Sequence, residues 1–147
     1  MADRTESTVN VAAPPADVLA AIADVESYPR WAAGVKEVEV LSTGAAGRPK
    51  QVRFVVDNGP IKDTYVLDYS WAVKRDGTGS VSWTLVEAEI IKSLDGAYEM
   101  ASERGGTKVT YRLAVDVKIP MLGMLKRKAE KVIIDTALND LKKRVEG

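Results

Sequence analysis

The sequence predicts an α+β fold: a curved antiparallel sheet of about seven strands, two short helices after the first strand, and a long C-terminal helix across the sheet. Three observations carry this. From Val35 to Val117 apolar and polar residues largely alternate, broken by Asn, Asp and Gly turn signals. From Pro120 to about Glu146 the apolar residues recur at helical spacing instead. Between the first alternating run and the rest, Pro15 and Tyr28-Pro29 each open a short helical stretch.

Taken in order, Arg4 to Val11 alternates loosely and reads as a strand that Pro14-Pro15 stops. Pro15 suits a first helical turn and Asp17 its positive end, and Val18, Leu19, Ile22 and Val25 follow at helical spacing. Tyr28 to Ala33 reads as a second short helix with Gly34 as its stop. Strands follow from Val35 to about Leu41, Gln51 to Val56, Ile61 to Trp71, Val81 to Glu87, Leu94 to Ser102 and Thr107 to Val117. Ser42 to Pro49 is a Gly-rich loop, and the turns fall at Asp57 to Pro60, Lys74 to Gly79 and Glu103 to Gly106. Pro120 opens the last helix. Met121, Leu122, Leu125, Ala129, Val132 and Ile133 share one face of it, and Ile134, Ala137, Leu138, Leu141 and Val145 continue the apolar stripe as it drifts around the axis.

The chain has 147 residues, with 21 basic and 21 acidic side chains, so no net field attracts nucleic acid. The length suits one domain, residues 1–147. It contains neither Cys nor His, which excludes thiolate chemistry, disulfides, zinc fingers and Ser-His-Asp catalysis. No metal site and no cofactor is expected. The opening residues lack a basic region followed by an apolar run, so no secretory signal is expected, and a cytoplasmic protein is the default.

Hairpin register decides which side chains share a face. A two-residue turn at 58–59 places Phe54 opposite Asp63 and Val52 opposite Tyr65. Pairing Trp71 with Trp83 places Tyr69 opposite Leu85 and Leu67 opposite Glu87. In the last hairpin Met100 faces Val109, Tyr98 faces Tyr111 and Gly96 faces Leu113. By this parity Phe54, Tyr65, Tyr69, Trp71, Trp83, Tyr98 and Tyr111 share one face, while Arg53, Lys62, Asp68 and Arg112 point the other way. A dry core is the simple reading of such a face. Buried tyrosine hydroxyls need partners, however, and Gly96 leaves room beside them, so a ligand cavity is the sharper reading.

The stretch Asp24-Val25-Glu26-Ser27-Tyr28-Pro29-Arg30-Trp31 resembles a recurrent D-x-E-x-Y-P-x-W motif of bacterial START-like proteins. Gly105-Gly106-Thr107-Lys108-Val109-Thr110-Tyr111 is similar to their penultimate element, and a Pro again precedes the final helix. The chain thus resembles the helix-grip superfamily that includes polyketide cyclase/dehydrase and coenzyme Q-binding proteins. The resemblance implies a hydrophobic tunnel between sheet and C-terminal helix for a lipid, sterol, quinone or polyketide-like molecule. Family cyclases are expected to place polar or cationic groups in that tunnel. Here parity leaves it without His or Arg.

The candidate ligand-binding residues are Trp31, Phe54, Tyr65, Tyr69, Trp71, Trp83, Tyr98, Met100, Tyr111 and Leu125. Asp63 and Glu87 are the inward carboxylates on the middle strands and the candidate acid or base groups, though both lie near strand ends where exposure is expected. Met121, Leu122, Lys126, Arg127 and Lys128 join apolar and cationic groups that suit a transient contact with an anionic membrane surface. The expected function is a carrier or sensor of an apolar small molecule. The alternatives are a cyclase/dehydrase using pocket carboxylates or tyrosines, and a chaperone-like partner of another protein.

Overall fold

A computed structural model describes residues 5–57, 62–118 and 123–147. Strand β1 (Thr5–Val11) leads into α1 (Pro15–Ala23), a single 3-10 turn at Val25–Ser27 and the short α2 (Tyr28–Trp31). Then come β2 (Val35–Thr43), β3 (Pro49–Asp57), β4 (Lys62–Val73), β5 (Gly79–Ala88), β6 (Ile91–Glu103) and β7 (Gly106–Val117), and α3 (Gly123–Glu146) ends the chain. The strands form one antiparallel sheet in the order β1-β7-β6-β5-β4-β3-β2. This is the helix-grip architecture expected from the sequence.

β1 and β2 are neighbours in sequence yet lie at opposite edges of the sheet. The chain between them therefore crosses the concave face as α1 and α2. Pro15 starts α1, and its Val18, Leu19 and Ile22 are buried. α3 packs chiefly on β1 and β7 and also meets α1 and α2. Its buried residues are Ala129, Ile134, Leu138 and Leu141, together with Glu130. Val132, expected on the apolar stripe, is 47% exposed. The stripe drifts away from it by the time α3 seats on the sheet. Met121, Leu122 and the Leu125 side chain lie outside the described residues.

The last hairpin has the expected register, with Met100↔Val109, Tyr98↔Tyr111 and Gly96↔Leu113. The other two hairpins are displaced by two residues. Phe54 faces Tyr65 and Val52 faces Leu67, because the described pairing closes at Asp57↔Lys62 rather than at a two-residue turn. Tyr69 faces Trp83 and Trp71 faces Val81. A shift of two preserves the side-chain face, so the aromatic face survives while the partners change. On the other face Arg53 pairs with Glu39, Lys50 with Asp68, and Arg112 with Glu6 and Glu99.

Glu87 is the exception. A bulge lies between Leu67↔Leu85 and Val66↔Glu87, with Val86 as the additional residue on β5. The bulge reverses parity beyond Leu85, so Glu87 is exposed on the outer side and not inward as expected. The sequence carries no Gly or Pro at that point to announce it.

Two carboxylates are buried at the sheet ends, each holding backbone donors. Asp63, 5% exposed, accepts the N–H groups of Thr64, Glu89, Ile90 and Ile91 at 2.7–3.1 Å, which pins the β5–β6 turn. Its expected exposure near a strand end is thus overturned: the turn folds over it. Glu130, fully buried, accepts from Thr5 Oγ1 at 2.6 Å and from the Val115 N–H at 2.7 Å. The described β1–β7 pairing ends at Thr5↔Leu113, and Glu130 satisfies β7 two residues beyond it. Replacing Asp63 with Ala strips the turn donors of their acceptor, and an unsatisfied buried donor costs about 1–3 kcal/mol. Asp63→Ala should therefore lower unfolding stability by roughly 3 kcal/mol; an unchanged urea midpoint would contradict this role.

Candidate ligand-binding cavity

Neighbouring strands lie about 4.7–4.9 Å apart and a helix with its side chains is about 10–12 Å wide. One helix therefore covers the width of two or three strands, and α3 spends that width largely on β1 and β7. The concave face over the middle strands is left to fill with its own side chains. Those are large and aromatic, and they leave a cavity of about 120 Å³ open to the centres of water-sized molecules. One water needs roughly 10–15 Å³ on that measure, so the space is sized for an organic guest or several waters.

The sheet supplies most of the wall. Phe54 and Val56 come from β3, Tyr65, Leu67 and Tyr69 from β4, and Trp83 from β5. Ile91, Leu94 and Tyr98 on β6 and Tyr111, Leu113 and Val115 on β7 complete it. Tyr28 and Trp31 of α2, the following Ala32 and Ala33, and Val35 form one side of the lining around the solvent-exposed Ala33–Asp140 hydrogen bond, which marks the mouth. Ile133, Thr136, Ala137 and Asp140 of α3 form the other. A single described hydrogen bond ties the two sides, from the Ala33 N–H to Asp140 Oδ2 at 2.8 Å.

The rings are in mutual contact. Trp83 stands 5.5 Å from Tyr98, 5.7 Å from Tyr111 and 5.6 Å from Tyr69 between centroids, and Tyr98 and Tyr111 are 4.6 Å apart. Phe54 links Tyr65 to Tyr28, and Tyr28 makes an edge contact with Trp31. The Tyr28 hydroxyl donates to the carbonyl of Ile22, which anchors α2 to α1. The hydroxyls of Tyr65, Tyr69, Tyr98 and Tyr111 have no hydrogen-bond partner among the described residues. They line the cavity as open polar sites.

Of the residues expected to bind ligand, Trp31, Phe54, Tyr65, Tyr69, Trp83, Tyr98 and Tyr111 line this space. Trp71 and Met100 share the face but lie outside the lining. Trp71 stacks on Tyr69 at 5.5 Å and donates its indole N–H to the carbonyl of Pro49 at 2.8 Å, which holds it at the sheet's other end. Met100 is buried in the core. Of the two expected carboxylates neither lines the cavity: Asp63 is engaged by the turn and Glu87 is outside. Lys126 is half-buried, and Arg127 and Lys128 are exposed on α3. The space expected beside Gly96 is filled by Trp83, for a Cβ on Gly96 would stand 2.4 Å from the indole nitrogen.

Sequence reasoning missed Asp140 and Thr136. They sit four residues apart on one turn of α3 and interrupt its apolar stripe on the cavity side, with Ala137 between them. That signal was available, but polar residues on a helix read as its solvated face until the helix is seated.

Burial raises the ionisation of all five tyrosines, Tyr28, Tyr65, Tyr69, Tyr98 and Tyr111, above the ordinary phenol value. Neighbouring phenolates add to it for all but Tyr111, and the charge of Asp140 does so for Tyr98. The cavity therefore offers neutral hydroxyls. A phenol with a raised native pKa keeps its proton where the unfolded chain has lost it. Its contribution to stability is present in full below about pH 10 and is lost as pH rises towards the native value. Spectrophotometric titration should show almost no phenolate until the fold is lost, followed by ionisation of all five together. Ionisation of several tyrosines near pH 10 with the fold intact would contradict this burial.

Gly96→Ala should push the Trp83 ring into the cavity and destabilise the protein by about 1–3 kcal/mol, as overpacking does. A crystal structure of the variant with the indole unmoved would contradict that contact.

A curved sheet closed by one long helix over an aromatic cavity defines the class of START-like small-molecule-binding folds. The profile of the family described as polyketide cyclase/dehydrase and lipid transport matches residues 11–142, and the chain belongs to that family. Among solved structures the chain is similar to a START superfamily protein from Mycobacterium smegmatis, with a TM-score of 0.87, 22% identity and 97% of each chain covered. It is also similar to the Zhui aromatase/cyclase of Streptomyces sp. R1128, with a TM-score of 0.80 and 19% identity over 99% of this chain and 94% of that one. A protein from Thermus thermophilus matches with a TM-score of 0.79 and 23% identity over 97% of both. These identities speak to the fold alone. No curated protein sequence matches the chain. No helix among the described residues is long and apolar enough to cross a membrane.

Proposed function

We propose that the protein binds an apolar small molecule carrying neutral oxygen functions, as a carrier or sensor. The observation that supports this most is the pairing of an apolar aromatic wall with four tyrosine hydroxyls that have no partner among the described residues. A hydroxyl removed from bulk water without a partner is unfavourable, and a ligand carbonyl or hydroxyl would satisfy it. Van der Waals contact would supply most of the affinity and the phenols the orientation. The apolar wall of aromatic and aliphatic side chains suits quinones, sterols and polyketide-like rings as well as lipid chains.

Calorimetry on a pair of matched ligands, a polycyclic hydrocarbon and its ketone or phenol, tests this. Substituting Phe for Tyr69, Tyr98 and Tyr111 together should leave hydrocarbon affinity within about threefold. The oxygenated ligand should lose roughly tenfold or more, about 1.4 kcal/mol, the scale of one hydrogen bond. Equal losses for both ligands, or no binding of either by the unsubstituted protein, would defeat the reading.

One observation favours the cyclase/dehydrase reading: Asp140 presents a carboxylate to the same space as the tyrosines. A positioned acid or base contributes about 10²–10⁴ in rate. Turnover of a polyketide-like substrate that falls by that much in Asp140→Asn would favour the enzyme over the carrier.

A further inference from the structure

We infer that Asp140 is a charge filter at the cavity mouth, admitting ligands whose polar end is an uncharged hydrogen-bond donor or a cation and rejecting those with an anionic head. The inference rests on the ligand-binding reading above and adds to it which charge the ligand's polar end can carry.

Four observations converge on it. Asp140 is the one carboxylate among the described lining residues, and no Lys or Arg stands with it there. Its Oδ2 accepts the Ala33 N–H, which fixes the side chain at the mouth, while Oδ1 has no partner among the described residues. Thr136, one turn earlier on the same helix face, also lines the cavity and has no described partner for its hydroxyl. The charge of Asp140 reaches inward far enough to act on the Tyr98 phenol.

A ligand entering between α2 and α3 therefore meets a free acceptor and a negative charge, followed by neutral phenols. An alcohol, phenol or ammonium can donate to Oδ1. A carboxylate or phosphate finds like charge and no cation among the described lining residues to offset it, in surroundings that screen less than water. Arg30 and Lys36 line a separate shallow hollow along Pro29–Lys36, which shares Trp31, Ala32, Ala33 and Val35 with the mouth but not Asp140.

The test is isothermal titration of a straight-chain alcohol, amine and carboxylic acid of equal length near neutral pH. The alcohol and amine should bind the unsubstituted protein at least about tenfold more tightly than the acid, equivalent to 1.4 kcal/mol. Asp140→Asn keeps an oxygen for the Ala33 N–H and removes the charge. It should bring the acid to within about threefold of the alcohol and weaken the amine most, since the amide now turns an N–H donor towards the ligand, which an alcohol oxygen can accept and an ammonium cannot. Circular dichroism and thermal melting verify that the variant is folded. Adding salt to the unsubstituted protein gives a second measurement that needs no variant: screening should narrow the gap between acid and alcohol. Equal binding of acid and alcohol by the unsubstituted protein overturns the filter but leaves ligand binding standing. Tighter binding of the acid does the same and assigns selectivity to Arg30 and Lys36. An acid-to-alcohol ratio unaltered in the folded Asn variant also overturns it. Failure of all three ligands defeats the ligand-binding reading along with the filter.

Discussion

A seven-stranded sheet spans six strand spacings, roughly 28–29 Å, and one helix with its side chains covers about 10–12 Å of that. The rest of the molecule answers this mismatch. α3 takes the β1–β7 side, and α1, entering from the β1 edge, buries Val18, Leu19 and Ile22 in the same core. What neither helix reaches must be filled by the sheet's own side chains. Tyr and Trp are the side chains long enough to approach a helix across that gap. They cannot fill it without voids, since their rings are rigid and meet at tilted or edge-on angles. The cavity follows from covering a wide curved sheet with one narrow helix.

Satisfying the backbone at the sheet ends is the second constraint, and the molecule meets it with acids. Asp63 and Glu130 are buried, and each is held by hydrogen-bond donors of the backbone or a hydroxyl. Such carboxylates fix geometry. Asp63 sets where β5 turns into β6, and Glu130 ties α3 to β7. Asp140 differs from both, since one of its oxygens has no described partner and it faces the cavity. Asp63 and Glu130 are thus committed to donors, whereas half-buried Asp140 keeps one oxygen open.

Covering the mouth is a lighter matter. Between α2 and α3 the one described polar tie is the Ala33–Asp140 hydrogen bond. The residues around it, Ala32, Ala33 and Ala137, are small. Alanines thus flank the one polar tie on this side, while the sheet side is closed by backbone ladders.

By itself the sequence determined the element order, the seven strands and the face on which the aromatics sit, because alternation with a period of two survives any register shift of two residues. It determined the last hairpin's register as well, since Glu103-Arg104-Gly105-Gly106 permits a tight turn there. It also determined seven of the residues around the cavity, Trp31 of α2 and six from the sheet, all aromatic. Only the tertiary structure decided the rest. The bulge at Val86, unmarked by Gly or Pro, moved Glu87 outside, and three of the four donors around Asp63 come from the β5–β6 turn, far along the chain. The room beside Gly96 went to Trp83, a neighbour set by pairing β5 with β6. Whether Asp140 is solvated or faces the cavity depends on how α3 rotates about its axis when it seats. That rotation is fixed by burying Ile134, Leu138 and Leu141 against the other elements, a choice among packed faces that helical periodicity alone leaves open.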